Sequence, residues 1–336
     1  MIRNQTATLP DSPRWQTLLA RAVRDPQTLI HRLRLSPALL PAARRAATLF
    51  PLRVPEGYLA RIRPGDPTDP LLRQVLPLEE EFQATPGFSR DPVGETTAMV
   101  PGGVIHKYHG RVLLVTTGAC AVNCRYCFRR HFPYEESNAS TENWRGALQY
   151  IAERPEIGEV ILSGGDPLTL SDRRLEALVA ALTEIPHVQR LRVHSRLPVV
   201  LPERVDERLL AWLTATRLRP VIVFHANHAN EVDKTVATAA RRLRDSGVTV
   251  LNQAVLLAGV NDSAPALISL SERLFEAGIL PYYLHVLDKV EGAAHFDVPE
   301  DRARRIHAEA EARLPGYLLP RLVREDAGAG SKTRLA

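Results

Sequence analysis

The sequence predicts an α/β fold, a partial six-unit barrel of the (β/α)6 TIM type, on three observations. From residue 104 onward, short aliphatic runs alternate with amphipathic helical stretches, the pattern of a parallel sheet with helices outside. Six such units occur, too few to close an eight-stranded barrel. Polar motifs gather where the aliphatic runs end, and both barrels and doubly wound sheets bind ligands there. A doubly wound sheet is the rival architecture, since it shares the same repeat.

Taken in order, residues 1–95 read as a helical and irregular extension. Ser12-Pro13 opens a stripe of Trp15, Leu18, Leu19 and Ala22, and a proline-rich connection runs over residues 51–92. Strands are expected over residues 111–117, 159–163, 190–194, 221–225, 248–256 and 281–286, with helices over 171–182, 202–216, 233–246 and 264–277. Residues 96–300 then form the barrel and residues 301–336 a C-terminal segment. Its tail, Gly328-Ala329-Gly330-Ser331-Lys332, reads by composition alone as disordered. The tail resembles half of a phosphate-binding loop, but the leading glycine spacing and strand-helix context are missing.

Composition narrows the class of protein. With 45% apolar and 24% charged residues, the chain matches an ordinary globular enzyme. Its longest apolar runs, 191–201 and 248–260, are broken by polar residues well short of the ~18 a membrane span needs, so no membrane association is expected. A net charge of +5 and a pI of 9.3 raise the question of nucleic acid. The arginines are scattered over amphipathic helices such as residues 301–305, which argues against direct nucleic-acid binding. Clustered thiols and an N-terminus without a secretory pattern point to a reducing cytoplasm. Lysine is scarce: Lys107, Lys234, Lys289 and Lys332 are the whole supply, so lysine chemistry has few candidates.

The chain's three cysteines, Cys120, Cys124 and Cys127, stand as C-x3-C-x2-C directly after the first barrel strand. Thiolates this close suit an iron-sulfur cluster or a thiolate zinc site. A cubane of four irons on three thiolates keeps one iron open for a small ligand. His131, four residues past Cys127, offers the alternative of a Cys3His zinc site. After the second strand comes Ser163-Gly164-Gly165-Asp166-Pro167, where paired glycines admit close backbone approach and a carboxylate can accept a hydrogen bond. An ordinary strand-to-helix turn reads the same way. The next strands end in His194-Ser195-Arg196, in His225-Ala226-Asn227-His228 with Glu231, and in Asn252-Gln253; the last ends at Asp288. A lone strand-end histidine is more often a satisfied structural residue than a ligand. Two cation clusters, residues 106–111 and Arg129-Arg130, suit either a phosphate or carboxylate ligand or a solvated surface.

The cysteine spacing, with Tyr126 just before the last cysteine and Gly-Gly-Asp-Pro one strand later, resembles the radical S-adenosylmethionine superfamily. Residues 106–111, 120–134, 224–231 and 252–262, together with Lys332, resemble the lysine 2,3-aminomutase family within it. The likeness runs over residues 85–334 and is greatest to the shorter bacterial branch that serves elongation factor P. It implies that Cys120, Cys124 and Cys127 hold a 4Fe-4S cluster whose open iron takes S-adenosylmethionine. Gly164, Gly165, Asp166, Ser195 and His225 would line the S-adenosylmethionine site. Lys332 would carry pyridoxal 5'-phosphate, with Lys107, Arg111 and Gln253 on its phosphate; Lys107 stands where the family has an arginine, keeping the charge and losing the fork. Arg129 would take the substrate carboxylate and Asp288 the distal ammonium. Glu325 would be a second ammonium partner, with neighbouring Asp326 the alternative.

The resemblance further implies an isomerase that moves the amino group of free L-lysine from Cα to Cβ. The product, β-lysine, would be attached to elongation factor P by a lysyl-tRNA-synthetase-like ligase. A flavodoxin- or ferredoxin-type electron donor and a homo-oligomer belong to the same expectation. The chain departs from the larger mutases in having no cysteines beyond the triplet, so no structural zinc is expected. Two other substrates stay open, arginine and glutamate, although Asp288 and Glu325 disfavour an anionic side chain. A radical RNA methylase that carries methyl groups on protein sulfur needs further cysteines, and none remain.

Overall fold

Among the described residues the strands form one sheet of ten in strict chain order. They are β1 (Met99–Val100), β2 (Val104–Tyr108), β3 (Arg111–Thr117), β4 (Glu159–Gly164) and β5 (Arg190–Ser195). Then follow β6 (Arg219–His225), β7 (Thr249–Val255), β8 (Leu280–His285), β9 (Arg321–Arg324) and β10 (Thr333–Arg334). The computed structural model describes residues 15–100, 102–134 and 141–336. From β3 to β9 every pairing is parallel, and antiparallel strands flank both ends. The strand order never reverses, as a doubly wound sheet requires, so the architecture is the partial barrel.

The expected strands are present within about two residues at either end. β4 is buried at every position, as a strand covered on both faces must be. The intervening helices start where side chains can satisfy their first amides. Asp233 accepts from the Thr235 and Val236 amides, and Ser263 from Ala266 ahead of a first-turn proline. Their apolar stripes, such as Val236, Ala239, Ala240 and Leu243, face the sheet. No helix among the described residues is long and apolar enough to cross a membrane.

Three expectations need correction. The sheet has four strands beyond the expected six, because β1, β2, β9 and β10 are short and leave little periodicity to read. The C-terminal tail 328–332, disordered by composition, leads straight into a strand: Thr333 pairs with Arg324 and Arg334 with Val323. The proline-rich connection contains helical turns Glu56–Leu59 and Pro70–Arg73, the second capped by Asp69 on the Leu71 and Leu72 amides. The expected helix start at Ser12-Pro13 lies outside the described residues, but helix Trp15–Ala20 buries Trp15 and Leu19.

Among the described residues no strand pairing joins the two edges of the sheet; side chains and a neighbouring segment bridge them. Lys107 on β2 reaches Glu325, one residue past β9, at 2.9 Å. Above this contact the N-terminal extension fills the seam. Ser89 donates to the Lys289 carbonyl at 2.9 Å and accepts from the Glu291 amide at 3.0 Å, while Lys107 also donates to the Val93 carbonyl at 2.8 Å. The extension thus shares one hydrophobic core with the barrel, running from Trp15 to Leu335.

The same extension grips the loop that follows β3. The Arg125 and Glu81 side chains are both 0% exposed and form a two-pronged pair, and Arg130 reaches the same carboxylate at 2.7 Å. Arg125 also donates to the Phe50 carbonyl at 2.7 Å. Charges this deep persist only when paired, and removing one partner strands the other. Glu81→Ala is therefore expected to lower stability by about 3–5 kcal/mol. The denaturation midpoint measures this; a loss below about 1 kcal/mol contradicts the clamp.

Candidate functional site

The carboxyl ends of the parallel strands surround a cavity of about 270 Å³, and the site residues that the family resemblance implied line it, except the alternative Asp326. Three groups of side chains divide its wall.

The first is the cysteine loop. Its backbone follows no regular element but is tied to the turn after β4. Gly165 donates to the Thr117 carbonyl at 2.7 Å and Asp166 to Ala119 at 2.8 Å. The glycines are required by this approach. A Cβ on Gly165 would sit 2.5 Å from the Ala119 oxygen, and Gly164 has a φ of +109° with the Thr117 oxygen 2.8 Å from its would-be Cβ. Asp166 is saturated by protein donors: Ser195 Oγ at 2.7 Å, the Arg196 and Leu197 amides at 2.9 Å each, and Leu168 at 3.1 Å. A carboxylate has about four acceptor positions, so Asp166 holds the turn and has no position left over for a ligand.

All three thiols are free, partly exposed and open on the cavity. Burial, then the neighbouring Cys124 charge, pushes the Cys127 thiol up to about 11, and burial raises Cys120 well above the usual thiol range. Soft thiols grouped on one cavity wall fit a cluster donor set, since a bound metal compensates the thiolate charge. His131 faces elsewhere, hydrogen-bonded to the Glu291 carbonyl at 3.3 Å and lining a different pocket. Among the described residues no three His, Cys, Asp or Glu side chains converge on a single-ion site.

The second group is a buried network beside Cys124. Arg196 donates to Cys124 Sγ at 2.7 Å, Tyr126 Oη at 2.6 Å, Gln74 at 2.7 Å and Glu231 at 2.9 Å. The His225 ring stacks on Tyr126 at 5.8 Å, and burial holds its pKa down to about 3, so this imidazole is neutral. Sequence reasoning noted Arg196 and Glu231 only as members of strand-end clusters. Their pairing crosses from one strand end to the loop after the next, which no spacing announces.

The third group surrounds Lys332. Its Nζ meets Glu325 Oε2 at 2.5 Å, and Lys107 occupies the other oxygen. Burial opposes ionisation of Glu325, but the two ammoniums outweigh it and hold the carboxyl down to about 2. Asp288 is the opposite case: burial, then the Glu325 charge, pushes it up to about 7. Asp326 is turned away, pairing with Arg324 at 2.7 Å, so Glu325 is the carboxylate inside. Arg111 stacks over the Tyr108 ring at 4.7 Å, and Gln253 comes from β7. Tyr283, 5.9 Å from Lys332 Nζ, packs on Tyr282 at 3.8 Å, giving the lysine an aromatic wall. Among the buried wall atoms, His194 Nε2 and His285 Nε2 are two without a hydrogen-bond partner, as expected of a wall built around a polar ligand.

Arg129 sits between the groups. Its Nε and Nη2 pair with Glu95 at 2.6 and 2.7 Å, and Nη1 reaches Ser163 and Gly164 at 3.1 Å. A ligand carboxylate at Arg129 must share that guanidinium with Glu95. Glu95 carried no signal in the sequence, because it lies in a single helical turn ahead of β1.

Comparison with known proteins bears on this arrangement. Residues 114–270 match the model of the radical SAM superfamily. The chain is 52% identical over 331 residues to the L-lysine 2,3-aminomutase of Escherichia coli, covering 98% of this chain and 96% of that one. It is 47% identical to the Haemophilus influenzae protein of the same name, over 99% and 98% of the two chains. The Clostridium subterminale L-lysine 2,3-aminomutase is longer: 37% identity spans 82% of this chain and 66% of that one. The chain belongs to the lysine 2,3-aminomutase family of radical S-adenosylmethionine enzymes. A 4Fe-4S cluster and S-adenosylmethionine come with that family, and the cysteine loop offers a thiol set of the right kind.

The close approach at Gly165 makes a sharp expectation for this radical enzyme. Gly165→Ala should displace the cysteine loop and lower bound iron per chain several-fold after anaerobic reconstitution. Gly316→Ala, with nothing within 4 Å of its Cβ, should leave iron content unchanged. Equal iron in both variants contradicts the packing argument.

Proposed function

We propose that this enzyme converts L-lysine to β-lysine by moving the amino group from Cα to Cβ, using pyridoxal 5'-phosphate on Lys332. The observation that carries the reading is that the cysteine triplet and Lys332, from opposite ends of the barrel sequence, open on one cavity that also contains Asp288 and Glu325. When bound, the cluster and S-adenosylmethionine supply a hydrogen-abstracting radical, and pyridoxal phosphate supplies a carbonyl partner for the migrating nitrogen.

The chain's residues then have defined tasks. Cys120, Cys124 and Cys127 hold the cluster, and Gly164 and Gly165 keep their loop against the β4 turn. Ser195 and the neutral His225 line the S-adenosylmethionine side of the cavity, with Asp166 fixing the turn between them. Glu325 aims Lys332 Nζ into the cavity. Lys107, Arg111 and Gln253 line the same end and suit a phosphate. Arg129 takes the amino-acid carboxylate beside Glu95, and Asp288 with Glu325 faces the distal ammonium. An anionic side chain meets like charge there. The product class, a β-amino acid made from free lysine, suits attachment to elongation factor P by a lysyl-tRNA-synthetase-like ligase. A flavodoxin or ferredoxin supplies the electron, and a homo-oligomer in the cytoplasm completes the proposal.

Anaerobically reconstituted protein given lysine, arginine or glutamate in separate reactions should form β-lysine from lysine; exclusive turnover of arginine or glutamate contradicts the substrate reading. The pH profile tests Asp288. Only its ionised form pairs with an ammonium, and its pKa in the folded protein is about 7. Below that pH each unit should raise the KM for lysine by up to roughly tenfold. Asp288→Asn should raise KM about 30-fold or more at neutral pH and flatten that profile. A profile unchanged in the variant counts against the assignment.

A further inference from the structure

We propose that Arg196 sets the reduction potential of the iron-sulfur cluster, acting through Cys124 as a positioning residue. The inference rests on Cys124 as a cluster ligand but on no particular amino-acid substrate.

Arg196 is a buried cation whose guanidinium is fixed from both ends. Its own amide is held by Asp166 at 2.9 Å, and Nη2 is held by Gln74 at 2.7 Å and Glu231 at 2.9 Å. The Tyr58 and Tyr126 rings flank the guanidinium at 5.5 and 5.6 Å. This leaves Nη1 directed at Cys124 Sγ at 2.7 Å, with Tyr126 Oη its other acceptor. Glu231 compensates the charge from the Nη2 side, so the ion pair presents its positive end to the sulfur. The other cations by the loop are differently engaged: Arg125 and Arg130 turn to Glu81, and Arg129 turns to Glu95.

A donor preorganised on a ligand sulfur acts unequally on the two cluster states. A low-potential external donor passes one electron to the cluster, taking it from the 2+ to the 1+ state; no protein bond breaks and no proton moves. The added negative charge spreads over iron and sulfur. A cationic hydrogen bond at Cys124 stabilises it more than the oxidised state, which raises the potential. Low surrounding dielectric strengthens the effect, since Tyr58, Tyr126 and Glu231 are all buried. Arg196 thereby makes the cluster easier for a biological donor to reduce.

The test is an EPR-monitored redox titration of the full-length reconstituted protein without S-adenosylmethionine or substrate. Arg196→Gln should lower the ratio of reduced to oxidised cluster about tenfold at a fixed poise, about 59 mV more negative for one electron. Arg196→Lys, which keeps charge but loses the fork, should fall between. An unchanged midpoint in an Arg196→Gln protein with full iron content overturns the proposal. If that variant fails to hold iron, wild-type protein carrying guanidino-15N-arginine decides. Its reduced cluster should show a nitrogen hyperfine coupling that Arg196→Lys removes, and absence of the coupling in wild type overturns the proposal. A wild-type protein that binds no iron would instead refute the cluster itself.

Discussion

One carboxylate joins the two ends of this structure. Glu325 accepts from Lys107 on β2 and from Lys332 just before β10, so a sheet whose edges share no strand pairing is tied across its seam by a pair of ion contacts. The arrangement costs desolvation of three charges, which only mutual pairing offsets. In return it brings a lysine from the far end of the chain into a cavity otherwise built by the strand ends. The short strand β9 makes this possible, because its parallel register on β8 brings the chain to the cavity, where Glu325 and Lys332 line the wall.

The opposite wall solves a harder problem, since the cysteine loop has no ladder of its own. Buried guanidiniums substitute for one. Arg125 fastens the loop to the N-terminal layer, Arg129 to Glu95 ahead of the barrel, and Arg130 to Glu81 and the Gly292 carbonyl. Glycine at 164 and 165 then lets the β4 turn pack against it, and saturated Asp166 keeps that turn in place. The thiols are therefore oriented by residues from the extension, the barrel and the loop after β8 together. The extension accordingly belongs to the catalytic architecture and does not merely precede it.

Much of this was legible in the sequence for physical reasons. β-branched runs such as residues 111–117 and 159–163 favour buried strands, and the amphipathic stretches between such runs, 233–246 and 264–277 among them, read as helices. The cysteine triplet and the scarcity of lysine narrowed the chemistry before any geometry was known. What escaped were features without local pattern. β9 and β10 are too short to show alternation, so the tail read as disorder. Glu95 and Arg196 draw their importance from partners far away in sequence, and Asp166 looked like a ligand acceptor until its four protein donors were counted. Long-range pairing of this kind is a property of the fold, which spacing does not encode.

The central claim is that a radical generated at the cysteine wall is spent on a lysine held toward Lys332 across the same cavity. Lysine deuterated at C3 tests it most directly, by mass analysis of the 5'-deoxyadenosine recovered after turnover. Deuterium should appear in the 5'-deoxyadenosine of the wild-type enzyme and be lost when Lys332 is replaced by alanine. Turnover to β-lysine with no deuterium in 5'-deoxyadenosine would contradict the account.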